Sequence, residues 1–444
     1  MRKNNFYLLT LGCQMNKNDS ERIAGLLLSE GWKQSKTPEK ADLIILNTCS
    51  VRASAEDRVF GFVQNWKELK AKNPRLVIAV TGCMAGRDKD GKIRKRLPDV
   101  DLFFGIDSLP MLTRWVEELR LDGEVKTKDK ESGDYLEITP FRSNPFHAFI
   151  TIQTGCDNFC TYCVVPYARG REKNRSIKEI IKEIKLALKN GAKEITLLGQ
   201  TVNHYIAPDV ENFSKNNPFH DHFAALLWEI NQIKGEFRIN FTAPDPQYFS
   251  NEQIQALALP KQANYLHLPV QSGDNEILKK MNRKYTREQY IGLIKKIRAA
   301  RPEISIGTDI IVGFCGETAK QFQNTVDLYK QCDFDISFHA MYSERSLTAA
   351  VKAFKDDVPK DIKKQRWDVL QNLMEQIVLR KNQKYVGQAV RVLVDKCESG
   401  VCSGNSDEMK LVEFPSKPSM VGKFVKVKIN WVGEWVLRGK AQKV

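Results

Sequence analysis

With 444 residues, 42% of them hydrophobic, the chain is long enough for two or three domains that each bury a core. Its formal charge of +15 points to a polyanionic partner, nucleic acid above all, with a solvated basic surface as the plainer alternative. No apolar run approaches membrane-spanning length and the N-terminal MRKNNFYLLTLGC holds too short an apolar stretch for a signal segment, so a cytoplasmic, reducing setting is expected, where the ten cysteines read as metal ligands or free thiols before disulfides.

The first third repeats one pattern three times: a β-branched or leucine-rich run, a cysteine, then a helical stretch. The runs are FYLLTLGC ending at Cys13, LIILNTC ending at Cys49 and LVIAVTGC ending at Cys83. Asp19 or Ser20 is placed to cap a helix through Glu21 and Leu28, and a second helix is expected from Ala53 to Lys72. Such alternation makes a parallel sheet with right-handed crossovers, whose ligands sit outside the carboxyl ends of the strands. Each cysteine falls just past such an end. Singly, each reads as a small buried residue; three in the same topological position read as a metal site.

Residues 121–141 are charged and without periodicity, and read as a linker between domains. A second series of strand and helix units follows, with candidate strands HAFITIQT, EITLLGQ, FRINFTAP, YLHLPV, ISIGTDIIVGF and FDISFHAM. Six units on one sheet suggest a curved, partly closed barrel with its site at the carboxyl ends. A long helical stretch from Asp361 to Tyr385 closes this domain. In the loop after its first strand stand Cys156, Cys160 and Cys163, so that one tight loop aims three thiolates at a single soft-metal centre. No fourth cysteine is near. Four thiolates would close an iron-sulfur cluster into an electron carrier, whereas three leave one iron free to take a substrate atom. His220 and His222 form a pair that resembles metal ligands in isolation, exposed loop histidines being the commoner reading.

From about Gln383 the pattern changes to short alternating strands, QAVRVLVDKC, EMKLVEFP, KFVKVKINWV and EWVLRGKAQ, broken by glycines. They suggest a small β-barrel of the nucleic-acid-binding kind. Eleven Lys and Arg against six Asp and Glu from Gln383 to Val444 leave this segment at +5, enough to touch phosphate without reading sequence.

The motifs GCQMN (Gly12 to Asn16) with Asp19, Ser20 and Glu21, NTCSVR (Asn47 to Arg52), GCM (Gly82 to Met84), GCDNFCTYCVVPYARGRE (Gly155 to Glu172), HLPVQSG (His267 to Gly273) and MNRKYTR (Met281 to Arg287) together resemble the radical S-adenosylmethionine methylthiotransferases over nearly the whole chain. Within that family the sequence is similar to the tRNA branch that converts N6-isopentenyladenosine beside the anticodon to its 2-methylthio form. The resemblance implies an α/β chain of three parts. They are an N-terminal parallel-sheet methylthiotransferase domain at 3–120, a radical S-adenosylmethionine partial (β/α)6 barrel at 142–380, and a small TRAM-like RNA-binding β-barrel at 383–444. It implies two 4Fe-4S clusters, the radical one on Cys156, Cys160 and Cys163 with S-adenosyl-L-methionine, and an auxiliary, sulfur-holding one on Cys13, Cys49 and Cys83. One S-adenosylmethionine then yields the 5'-deoxyadenosyl radical and a second methylates the sulfur. The C2 hydrogen of adenine is beyond any side-chain base, so a cofactor must supply such chemistry. The partners implied are a tRNA anticodon stem-loop carrying N6-isopentenyladenosine, an unidentified reductant and a sulfur donor; a monomer and no membrane are expected.

Around the radical loop, Arg169, Arg171, Lys173 and Arg175 either meet tRNA phosphate or, for Arg169 and Arg171, are tied to carboxylates. Gly199 and Gln200 end a barrel strand and are either neighbours of S-adenosylmethionine or a tight turn. The sequence departs from the family at Cys315, read as a packing substitution, at Tyr342 to Ala349, and at Asn405 in place of an arginine. Cys397 and Cys402 lie outside any family motif and are expected to be free, exposed thiols rather than a zinc pair. One rival is a sister branch acting on threonylcarbamoyl-adenosine or a ribosomal-protein aspartate. The other is a non-catalytic iron-sulfur or zinc RNA-binding protein, which would need four ligands per metal where each site offers three.

Overall fold

A computed structural model of the chain describes residues 4–50, 53–123, 125 and 133–442. In the N-terminal domain, β1 (Asn5–Leu11), β2 (Lys33–Gln34), β3 (Leu43–Thr48), β4 (Val77–Gly82) and β5 (Leu102–Phe103) form one parallel sheet in the order β2-β1-β3-β4-β5. β3 and β4 are buried along their whole length, as the near-continuous apolar runs LIIL and VIAV require between two helical layers. The helices are α1 (Gln14–Ser29), α2 (Ala53–Lys72), α3 (Cys83–Arg87), α4 (Lys92–Lys95) and α5 (Leu112–Asp122). The second of these spans the expected residues. The first starts earlier than expected, because Cys13 rather than Asp19 or Ser20 takes the N-cap; Asp19 and Ser20 lie inside the helix and are buried.

Of the expected linker, residues 124 and 126–132 lie outside the described residues, as do Val51 and Arg52 of NTCSVR. Its later part is packed rather than loose. Tyr135 and Leu136 join the N-terminal core, and Arg22 Nη1 donates to the carbonyls of Leu136 at 2.7 Å and Ile138 at 2.6 Å. The short apolar turn at 135–138 was masked by the charged residues around it.

The central domain contains β6 (His147–Thr151), β7 (Gln153–Thr154), α6 (Val165–Arg169), β8 (Lys173–Asn174), α7 (Ile177–Lys189), β9 (Glu194–Leu198), α8 (His222–Gln232), β10 (Arg238–Phe241), α9 (Asn251–Ala256), β11 (Tyr265–His267), α10 (Asn275–Lys280), α11 (Arg287–Ala300), β12 (Ser305–Val312), α12 (Ala319–Cys332), β13 (Ile336–Met341), α13 (Ala349–Ala353) and α14 (Lys360–Asn382). All six expected strands form. They make two parallel halves, β10-β9-β6 and β11-β12-β13, joined by a bridge from Ile239 to Gln262 rather than one continuous sheet. Past the other end of β11, Pro269 has no N–H to continue the pairing with β12. Ile180, Ile184, Leu197, Phe223, Ile306 and Tyr329 are among the residues that fill the core between strands and helices. Cys315 packs there in a satellite cluster with Phe314 and Tyr342.

The C-terminal domain is a closed barrel of β14 (Ala389–Glu398), β15 (Val401–Ser406), β16 (Leu411–Pro415), β17 (Phe424–Val432) and β18 (Leu437–Ala441), in the order β14-β15-β16-β18-β17. Strand β15, VCSGNS, carries no apolar alternation. Its Gly404 marks close approach rather than a break: a Cβ there would overlap the Leu393 carbonyl oxygen. The hairpin register sets Cys397 opposite Cys402, and the two are joined in a disulfide, with Cys402 buried; the expectation of free, exposed thiols is thereby corrected.

This barrel docks on the amino ends of the central strands, away from the cysteine loop. Arg238 on β10 pairs with Glu194 on β9 at 2.6 Å and donates to the carbonyls of Asn405 at 3.0 Å and Ser406 at 2.9 Å, so Asn405 faces the central domain through its backbone. His147 on β6 bridges Glu194 at 3.3 Å and Asp395 at 2.5 Å. Burial pulls the His147 pKa down, but Asp395 and Glu194 outweigh it and hold it at about 9. A raised folded value stabilises fully below the ordinary 6.5 and loses that contribution as the pH climbs through 9. Unfolding followed by the fluorescence of the exposed Trp431 and Trp435 is therefore expected to lose more midpoint between pH 7 and 10 in the unaltered chain than in His147→Gln.

Candidate iron-sulfur and substrate site

The first trio is built by strand ends. β1, β3 and β4 are neighbours in register, so Cys13, Cys49 and Cys83 leave one edge of one sheet together. Gly12 (φ +149°) and Gly82 (φ +93°) adopt backbone that a side chain would strain, and a Cβ at either would overlap the Asn16 or Asn47 side chain. These two asparagines lock the strand ends. Asn16 Nδ2 donates to Asn47 Oδ1 and to the Thr48 carbonyl, both at 3.2 Å, while Asn47 Nδ2 donates to the Asn16 carbonyl at 2.8 Å and Ser20 Oγ at 2.9 Å. A hydrogen bond with Cys49 lowers the Cys13 thiol to about 6 against the effect of burial, with Asn16 and Arg169 adding to the same end. Burial pushes the Cys83 thiol up.

The second trio lies on the loop between β7 and α6. Its shape is imposed from MNRKYTR: Thr161 N–H donates to the Met281 carbonyl at 3.1 Å, and Asn282 Nδ2 to the carbonyls of Asn158 and Phe159, both at 3.1 Å. From Tyr342 to Ala349, Ser346 Oγ accepts from Arg87, and the next residue, Ala350, donates to the Thr161 carbonyl at 2.8 Å. Cys156 Sγ meets Thr201 Oγ1 at 3.4 Å. Burial raises the thiols of Cys156 and Cys163, the latter to about 12, and Cys160 raises both further. Such mutually repelling thiols need a positive group among them to ionise.

The two trios share a device. Arg283 Nη1 donates to Cys160 Sγ at 3.3 Å while pairing with buried Asp245 at 2.9 Å; Arg169 Nε donates to Cys83 Sγ at 3.3 Å while Nη2 pairs with buried Asp19 at 2.5 Å. The four cations expected around the radical loop therefore divide. Arg169 and Arg175 are buried and closed off from phosphate, Arg175 by Glu183 at 2.8 Å. Arg171 and Lys173 are exposed, Arg171 touching Asp157 at 3.3 Å and lying over the Phe159 ring. Sequence reasoning missed Arg283, Asp245, Asn16 and Asn47 as site residues, although each sits in a quoted motif or beside a strand end.

Cys13, Gly199 and Gln200 line one cavity of about 640 Å³, together with His267 and Phe338 on the inner barrel strands and Trp435 of the C-terminal barrel. His267 Nε2 lies 3.1 Å from Asp309 Oδ2, and its Nδ1 3.2 Å from the Tyr265 hydroxyl. His222 is tied up by the Ala207 N–H at 3.0 Å, and among the described residues no three His, Cys, Asp or Glu converge tightly enough for a single ion. Thiol trios spread around a larger inorganic group fit better: soft sulfur donors, no competing carboxylate in either set, and a guanidinium to balance charge.

A parallel-sheet domain, a partial barrel with a three-cysteine loop and a small closed barrel define a radical S-adenosylmethionine enzyme with an appended RNA-binding-type domain. The Radical SAM superfamily matches residues 150–329, the uncharacterized protein family UPF0004 residues 5–105 and the TRAM domain residues 383–441. A tRNA-2-methylthio-N(6)-dimethylallyladenosine synthase of Clostridium novyi is 41% identical over 98% of this chain and 96% of its own, and one of Carboxydothermus hydrogenoformans is 42% identical over 97% of each. The chain belongs to this family of radical S-adenosylmethionine tRNA methylthiotransferases. In fold it is similar to the radical S-adenosylmethionine methyltransferase TsrM of Kitasatospora setae with cobalamin and a [4Fe-4S] cluster bound, at TM-score 0.54 and 13% identity over 90% of this chain and 77% of that one. OxsB, a cobalamin-dependent radical enzyme, gives TM-score 0.54 at 14% identity over 84% of this chain and 61% of that one. No helix among the described residues is long and apolar enough to cross a membrane.

Proposed function

We propose that this chain adds a methylthio group to C2 of N6-isopentenyladenosine beside the anticodon of tRNA, isopentenyl and dimethylallyl naming one substituent. Cys156, Cys160 and Cys163 hold one 4Fe-4S cluster and Cys13, Cys49 and Cys83 a second. When bound, the first supplies an electron to S-adenosylmethionine and the second carries the sulfur. The observation behind this reading is the shared cavity: Cys13 of one trio, the strand end at Gly199 and Gln200, and the C-terminal barrel all border one space of about 640 Å³. That volume lies in the range of small-ligand sites and admits an unstacked base, which a loop nucleotide offers and a duplex does not.

The chain's own residues then position and shield. Asn282 and Thr161 hold the radical loop, and Asn16 and Asn47 hold the strand ends. Gly199 and Gln200 border S-adenosylmethionine. Arg171 and Lys173, with the +5 segment from Gln383, meet phosphate. The parts meet at about 120–142 and 380–383, and the enzyme works as a monomer in the cytoplasm with reductant and sulfur supplied by other proteins. Mass spectrometry of tRNA nucleosides after anaerobic incubation with S-adenosylmethionine and reductant tests the reading. A mass gain on N6-isopentenyladenosine is expected; gain only on threonylcarbamoyl-adenosine, or none, refutes it.

Phe338 is half exposed on the cavity wall, its ring 5.8 Å from that of His267. Stacking of a base on an aromatic ring contributes roughly 1–3 kcal/mol, so Phe338→Ala is expected to lower kcat/KM for the anticodon stem-loop about 5- to 150-fold. Iron content and S-adenosylmethionine cleavage without RNA should not change, which single-turnover assays check.

A further inference from the structure

Arg169 belongs to the central domain, yet its guanidinium lies in the N-terminal site. α6 begins directly after the radical loop and packs on α3, the helix that Cys83 opens: a Cβ at Gly86 would overlap the Ala168 carbonyl oxygen. This places Arg169 Nε 3.3 Å from Cys83 Sγ and Nη2 2.5 Å from Asp19, with both charged side chains buried. The remaining nitrogen, Nη1, is buried without a hydrogen-bond partner among the described residues, as is Asp19 Oδ1. A buried donor on a charged group with nothing to meet is unfavourable, and an acceptor seated beside Cys83 removes the penalty.

We propose that Arg169 is a positioning residue for the cluster held by Cys13, Cys49 and Cys83: Nε fixes the Cys83 thiolate and Nη1 donates to a sulfur of the bound group. The proposal rests on the reading of those cysteines as ligands. A guanidinium fixed in a low-dielectric site favours the more negative, reduced form of a thiolate-ligated cluster and so holds its reduction potential up. Because Arg169 ends the helix that leaves the radical loop, ordering of that loop also completes the second site.

The test is an electron-paramagnetic-resonance redox titration of the anaerobically reconstituted full chain, with iron counted. Asp19→Asn/Arg169→Gln removes both charges together and keeps polar side chains of similar reach, so neither partner is stranded. In this double variant the auxiliary signal is expected at more negative potential, or lost with about half the iron, while the radical-site signal stays in place as the control for folding. Arg169→Lys, which keeps the charge without the fork, should move the potential less. The proposal is overturned if the auxiliary signal keeps its potential and its iron, or if both signals move together. Unaltered protein with only one cluster defeats the two-cluster reading instead, before any variant is compared.

Discussion

Replacing Cys156, Cys160 and Cys163 together by alanine is expected to remove about half of roughly eight irons per chain and to end 5'-deoxyadenosine formation. The loop is anchored by groups that the substitutions leave alone: Asn282 on the carbonyls of Asn158 and Phe159, and Thr161 on Met281 and Ala350. The fold should therefore survive, and the loss reports ligation. Alanine at Cys13, Cys49 and Cys83 is expected to remove the other half of the iron with a different outcome. Those thiols leave a separate sheet edge locked by Asn16 and Asn47, so S-adenosylmethionine cleavage is expected to persist while methylthiolation is lost. A radical-site triple variant that still makes 5'-deoxyadenosine would falsify the assignment of that loop. Iron analysis and chromatography of the nucleoside products measure both arms.

Much of this architecture was legible because it rests on local pattern. Runs such as LIIL and VIAV, each ending at a cysteine, specify buried parallel strands, and the helix from Ala53 to Lys72 has the expected bounds. What escaped depends on long-range juxtaposition. For Arg169 the sequence leaves phosphate or a carboxylate open; the packing of α6 on α3 decides for a carboxylate, Asp19, and adds Cys83, which VVPYARGRE does not indicate. Asn16 and Asn47 are far apart in sequence and become one unit through the β1 and β3 register. Strand β15 was hidden because Gly404 reads as a break, whereas the glycine allows the approach of β14. The disulfide depends on hairpin register, which compartment arguments about free thiols do not address.

The largest expected loss of stability is at Glu183, whose carboxylate joins the N-terminal domain to the central one. On α7 it receives buried Arg22 of α1 at 3.0 Å, buried Arg175 at 2.8 Å and partly buried Arg142 at 3.0 Å. Glu183→Ala leaves these cations without their anion, and stranding one partner of a buried pair costs roughly 3–5 kcal/mol. Surface substitutions such as Lys178→Ala should stay within about 0.5 kcal/mol. Burial alone would raise the Glu183 pKa, but Arg22, Arg175 and Arg142 outweigh it and hold it below the usual 4.5. A depressed folded value stabilises above 4.5 and loses that contribution as the pH falls through the folded value, so the Glu183→Ala deficit should be full at neutral pH and shrink in acid. Denaturant midpoints at pH 7 and below pH 4 measure it. Because the same carboxylate fixes Arg175, which also donates to the Thr151 carbonyl at 2.8 Å just ahead of the radical loop, methylthiolation should fall further than the folded fraction alone accounts for. A Glu183→Ala chain that unfolds at the normal denaturant concentration would show that the two domains are held by apolar packing instead.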